Sequence, residues 1–154
     1  MTKQTTRFVY VTYIASTPEK VFAAITQPAL ARQYWGHENV SDWTVGADWQ
    51  HVRDNDARPV EIVGKVLEVS APHRLVISWA GASQAANPDS YSRVTFEVEP
   101  HENGVRLTVS HDELEVGSGM AAGVSKGWPL VLSSLKSYLE TGTGFDLSGR
   151  NKAA

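Results

Sequence analysis

The chain has 154 residues, enough for one domain with a real core, and a formal net charge of −3 at pH 7. This slightly acidic balance, with no Lys/Arg cluster, excludes the electrostatic footprint of a nucleic-acid binder. Having no cysteine excludes disulfides, thiolate metal sites and a Cys nucleophile; with no secretory leader pattern and no long apolar run, a cytoplasmic protein without membrane contact is expected.

Residues 7–14, "RFVYVTYI", are β-branched and aromatic throughout and read as a strand. "STPEKVFAAIT" follows with helix signals: Ser16 and Glu19 have capping-box spacing, and Pro18 suits a first turn. Pro28 ends that helix and opens a second short one, "PALARQYW". Three strands are then expected at 42–52, 60–70 and 74–80, with Gly46 a bulge or bend in the first of them. Residues 81–90 are small and polar and read as a flexible loop. A hairpin of 91–99 with 104–111 follows, joined by "PHENG".

The segment "GSGMAAGVSKGW" leads into a last helix. There Trp128, Val131, Leu132, Leu135, Tyr138 and Leu139 recur at i, i+3, i+4, i+7, the spacing of one buried face. One helix with a broad apolar face, after a run of antiparallel strands, is most economically buried across the concave side of their sheet. The expected fold is therefore α+β: about six strands curved around a long C-terminal α-helix, with two short helices after the first strand. Residues 1–154 form one domain in this reading, and 141–154 fray as a tail.

That element order resembles the helix-grip fold of the START-like (SRPBCC) superfamily. The motifs "TPEKVFAAITQPALARQYW", "WTVGADW", "GKVLEVSAPHRLVISW", "SRVTFEVEPHENGVRLTVSH" and "GWPLVLSSLKSYLE" resemble, in order, those of the heat-shock-protein-90 ATPase activator-like family. The resemblance runs from about Arg7 to Glu140 and implies a cavity between sheet and long helix, often open to a small apolar ligand. The eukaryotic co-chaperone carries an additional N-terminal domain that contacts the chaperone. This chain starts at the first strand of the grip domain, so interaction with the chaperone is not expected. Single-domain relatives look like ligand-binding, stress-linked accessory proteins or, occasionally, cyclases, and a homodimer stays open.

Strand parity selects the candidate site, because alternate residues share a face. Phe96, Trp79 and His111 fall on inward positions of three strands, and Trp49 and His51 share parity beyond Gly46. Both faces of 60–70 contain apolar residues, so its inward side is unassigned. Trp128 and Leu132 lie on the inward face of the last helix, and Trp35 ends the second short helix at one rim. These eight are the expected cavity lining, with 117–127 as its glycine-rich lid. Trp128, wedged between Gly127 and Pro129, is either a wall at a bend or the first core residue of the helix.

His51 and His111 are the histidines expected to face the cavity, as ligand partners or as the acid/base of an enzyme. His37, His73 and His101 fall in expected turns and are assigned to solvent. No His-x-x-x-His pair, calcium-loop pattern, nucleophile elbow or phosphate loop occurs, so neither metal nor cofactor is expected. The expected function is binding of a small apolar molecule, with a cyclase- or hydrolase-like enzyme and a protein-interaction module as alternatives.

Overall fold

The computed structural model describes residues 3–147. A strand, β1 (Thr5–Ile14), leads into two short helices, α1 (Pro18–Thr26) and α2 (Pro28–Trp35). Six strands follow: β2 (His37–Ser41), β3 (Asp48–Arg53), β4 (Val60–Ser70), β5 (Arg74–Gly81), β6 (Ser92–His101) and β7 (Gly104–Glu115). The last element is α3 (Gly119–Thr141). All seven strands join one antiparallel sheet in the order β1-β7-β6-β5-β4-β3-β2, so β1 and β2 are its two edges. This is the helix-grip arrangement, with α3 packed against the concave face and α1 and α2 closing one end.

Local chemistry explains the helix ends. Thr17, not Ser16, caps α1: its hydroxyl accepts from the amide of Lys20, and Pro18 takes the first helical position. Gln27 joins α1 to α2, and Gly36 ends α2 in the left-handed region at φ 74°. Ser118 caps α3 by accepting from the amide of Ala121.

The middle of the sheet departs from expectation in three places. There are seven strands, because the single strand expected at 42–52 is the second half of a hairpin. His37–Ser41 is its first half, and 42–47 is the turn, with Trp43 at φ 56° and Gly46 at φ 90°. β4 hid its inward face because its register shifts between Val66 and Glu68. Val66 is fully buried, whereas Leu67 is exposed. Residues 81–90, expected as a flexible loop, contain two short 3₁₀ turns tied by hydrogen bonds from Ser90 and Tyr91.

The C-terminal third departs from expectation in two places. The 117–127 segment, expected to lead into the last helix, is from Gly119 the opening of α3 itself, which runs through Pro129 without the expected break. The chain after α3 does not fray at once. Gly142 stops the helix at φ 89°, the amide of Phe145 donates to Ser134 Oγ, and Leu147 is buried. The remainder of the expected tail, 148–154, lies outside the described residues.

Candidate ligand pocket

The concave face has an aliphatic end and an aromatic, histidine-bearing end. Towards β1, Val105, Leu107, Val98, Leu135 and Ile14 are all buried to 2 % exposure or less and form an apolar plug under the second half of α3. Towards β3 and β4, larger rings replace the aliphatics, and packing them leaves space. The result is a pocket of about 430 Å³ between the sheet and the first half of α3. Its walls are Trp35, Trp79, Trp128, Ile62, Val124 and Val131. Gly119, Met120, Gly123 and Gly127 roof it, and His37, His51 and Glu61 supply its polar side.

The indoles hold one another in place. Trp128 meets Trp35 edge-on at 5.6 Å between ring centroids, Trp79 at 5.5 Å and Phe96 at 5.9 Å. Gly64 makes part of this possible. A Cβ on it would lie 1.9 Å from the Ser78 carbonyl oxygen and 2.5 Å from Trp49 Nε1. Without one, Trp49 passes over β4 and donates to that carbonyl at 2.7 Å.

A hydrogen-bonded chain fixes Trp128. Its Nε1–H donates to His111 Nδ1 at 3.0 Å, so Nδ1 must be bare and the ring proton must sit on Nε2. His111 Nε2–H then donates to Ser92 Oγ at 2.7 Å, and Ser92 donates onward to the Trp79 carbonyl at 3.1 Å. Each donor finds one acceptor only if His111 is neutral. Burial pushes its pKa down from 6.5 to about 4, against a smaller opposing effect of Asp112. His111 is completely buried, does not line the pocket and braces its wall from behind Trp128.

A second polar cluster does face the pocket. His37 and His51 stack at 4.2 Å with rings 5° from parallel. Asn39 donates to the Ile25 carbonyl, so its Oδ1 accepts from His51 Nδ1 at 2.7 Å. His37 Nε2 lies 2.5 Å from Glu61 Oε1, and Arg53 pairs with the other carboxylate oxygen. Burial alone would raise the Glu61 carboxyl; hydrogen bonds from His37 and Arg53 outweigh it and hold the group below the usual carboxylate range.

Four of the eight expected lining residues, Trp35, His51, Trp79 and Trp128, meet at this pocket. Trp49 and Phe96 instead border a narrow gap in the core, shared with Trp35 and Trp79. His111 and Leu132 border neither: His111 sits behind the wall and Leu132, 2 % exposed, belongs to the plug. The two readings of Trp128 merge, because it is 3 % exposed within the core cluster and also walls the pocket. His37, assigned to solvent in a turn, is 4 % exposed on β2 and lines the pocket. Glu61 and His37 are the polar residues that sequence reasoning missed. Among the described residues, no His, Asp or Glu group is arranged to hold a metal ion, and no helix is long and apolar enough to cross a membrane.

A grip helix over a curved sheet, with a pocket under its first turns, defines a START-like (SRPBCC) protein. Residues 15–140 match the family profile described as "Activator of Hsp90 ATPase homolog 1-like protein", and the chain belongs to that family. No curated protein matches the sequence. Similar solved structures include the Aha1 dimer from Colwellia psychrerythraea, 22% identical, covering 90% of this chain and 99% of that one at a TM-score of 0.75. A crystal structure of a Mesorhizobium loti protein is 27% identical, with 87% and 96% of the two chains covered and a TM-score of 0.72. CalU16 from Micromonospora echinospora is 18% identical, with 97% and 89% covered and a TM-score of 0.69.

Proposed function

We propose that the protein binds a small, largely apolar molecule between the sheet and the first half of α3, as a cytoplasmic accessory protein of stress-linked type. The observation carrying this reading is the convergence of three indoles on one space of about 430 Å³, within the usual size of small-ligand sites. Apolar walls supply affinity through burial, and the His37–His51–Glu61 side offers one polar anchor. The family description supports an accessory role, and the Colwellia relative, solved as a dimer, supports assembly of two copies.

The test is native mass spectrometry of freshly purified protein, combined with titration of the apolar dye 1-anilinonaphthalene-8-sulfonate into wild type and Val124→Trp. A copurifying small molecule, or saturable dye binding lost when the larger side chain fills the pocket, is expected. Dye binding of equal strength to both forms, with no copurifying mass, overturns the assignment.

One observation favours a second reading, acid–base catalysis on the bound molecule: the 2.5 Å contact of His37 Nε2 with Glu61 Oε1 on the pocket wall. In that case Glu61→Gln would abolish turnover of a bound substrate while leaving its affinity intact. For a pure binder, the same change alters only affinity.

A further inference from the structure

The outer face of the sheet is laced with ion pairs from β4 to β7. Glu68, Arg74 and Glu97 link β4, β5 and β6. Arg106–Glu99 and Arg93–Asp112 link β6 to β7. On β1 the outward positions include Val9 and Val11, exposed by 48% and 45%, and then Tyr13, whose ring packs on His101 at 4.9 Å and whose side chain meets Arg106. β1 is also an edge strand ten residues long, and its central part has neither a proline nor a lysine to blunt it. Long, apolar, unprotected edges are what monomeric proteins avoid, because they template pairing with another chain.

The direction of the free backbone groups can be read from α3. Lys136 Nζ donates to the Tyr13 carbonyl at 2.6 Å, so Tyr13 turns its backbone off the edge, away from β7. The register shift in β1 lies between Thr6 and Phe8, so strict alternation holds beyond it and Val9 and Val11 turn the same way. Their amides and carbonyls are the unpaired ladder at the middle of the edge.

We propose that this edge is the homodimer interface, with β1 pairing antiparallel to β1 of a second copy about a two-fold axis at Tyr10. The strand is self-complementary in that register. Val9 lies opposite the partner's Val11, in two equivalent pairs that complete four backbone hydrogen bonds and join the apolar stripes. Arg7 lies within the β1 bulge and Lys136 already holds the Tyr13 carbonyl, so the paired stretch is residues 9–11, which carries no charge. The result is a continuous fourteen-stranded sheet (two copies of the seven) with both pockets left open. The proposal rests on the two-copy state put forward above and is independent of what the pocket binds.

Sedimentation equilibrium of wild type and the Val9→Lys/Val11→Lys double variant tests it, since paired lysines would then face each other. The expected result is a wild-type dimer and a dissociation constant raised at least about tenfold in the variant, with unchanged circular dichroism because both positions are exposed. A second variant fixes the register. Tyr10→Cys, in a chain otherwise free of cysteine, lies opposite itself as a non-hydrogen-bonded pair with Cα atoms about 4.5 Å apart, within disulfide reach. It should cross-link under mild oxidation, whereas Val45→Cys on the exposed β2–β3 turn should not. A wild-type monomer at every concentration overturns both the two-copy state and this interface. A dimer that withstands the lysines, and whose Tyr10→Cys variant stays reduced, overturns the interface alone.

Discussion

The two halves of α3 belong to one helix but do different work. From Gly119 to Gly127 only Val124 is buried, three residues are glycine, and the underside faces a pocket. From Trp128 to Leu135 five residues are buried in the core. Between them Pro129 supplies no amide for the Ser125 carbonyl, which weakens the ladder where the two halves meet. A helix can thus be anchored by one half while the other is free to open. The largest side chain stands at that joint because it serves both sides: Trp128 fills the core against Phe96 and walls the pocket against Trp35.

The largest effect expected from this contrast is in the anchored half. Leu135→Ala, at a site with no exposure, should cost about 2–5 kcal/mol in urea denaturation and leave dye affinity of the folded protein unchanged. A loss of dye binding in that variant would show that the halves are not separable.

Acid should act through the joint. His111 has its folded-state pKa depressed to about 4 against 6.5, so between those values the unfolded chain takes a proton that the native state refuses. Stability is therefore full above pH 6.5 and falls by about 3 kcal/mol as pH drops towards 4. His111→Gln should flatten the wild-type curve over this window, as followed by denaturation midpoints at several pH values. Parallel curves would remove the neutral-imidazole brace from the account.

A smaller loss is expected from Trp128→Phe, which keeps a ring at the joint but leaves His111 Nδ1 buried without its donor. About 1–3 kcal/mol is the expected cost, with a change in dye affinity because the wall is reshaped. The smallest effect has the opposite sign. A Cβ at Gly123 would meet nothing within 4 Å, so Gly123→Ala should stabilise the free half by about 0.5–1 kcal/mol through backbone entropy.

Much of this contrast could be read from the sequence, where regular periodicity carried the information. Val105, Leu107, Val109 and His111 alternate cleanly, and Val94, Phe96 and Val98 do the same on the neighbouring strand; all seven are buried. The pocket's polar side was hidden for physical reasons. His37 belongs to a five-residue strand, "HENVS", too short and polar to show alternation, and buried only because α2 and β3 cover it. Its companion Glu61 lies on a strand whose register shift puts apolar residues on both faces. The sequence signal available for His37 was Gly36, which stops α2 one residue earlier and so starts a strand opposite 49–53. His111 was placed on the right face but at the wrong depth, because parity gives a side and not a distance from the pocket.

Hydrogen exchange with and without bound dye tests the two-part helix most directly. The amides of 130–140 should be among the slowest in the protein in both states. Those of 119–127 should exchange much faster when free and slow markedly on binding, because a molecule held in the pocket would lie beneath them. Equal protection of the two segments in the free protein, or slowing confined to some other surface, would contradict the account.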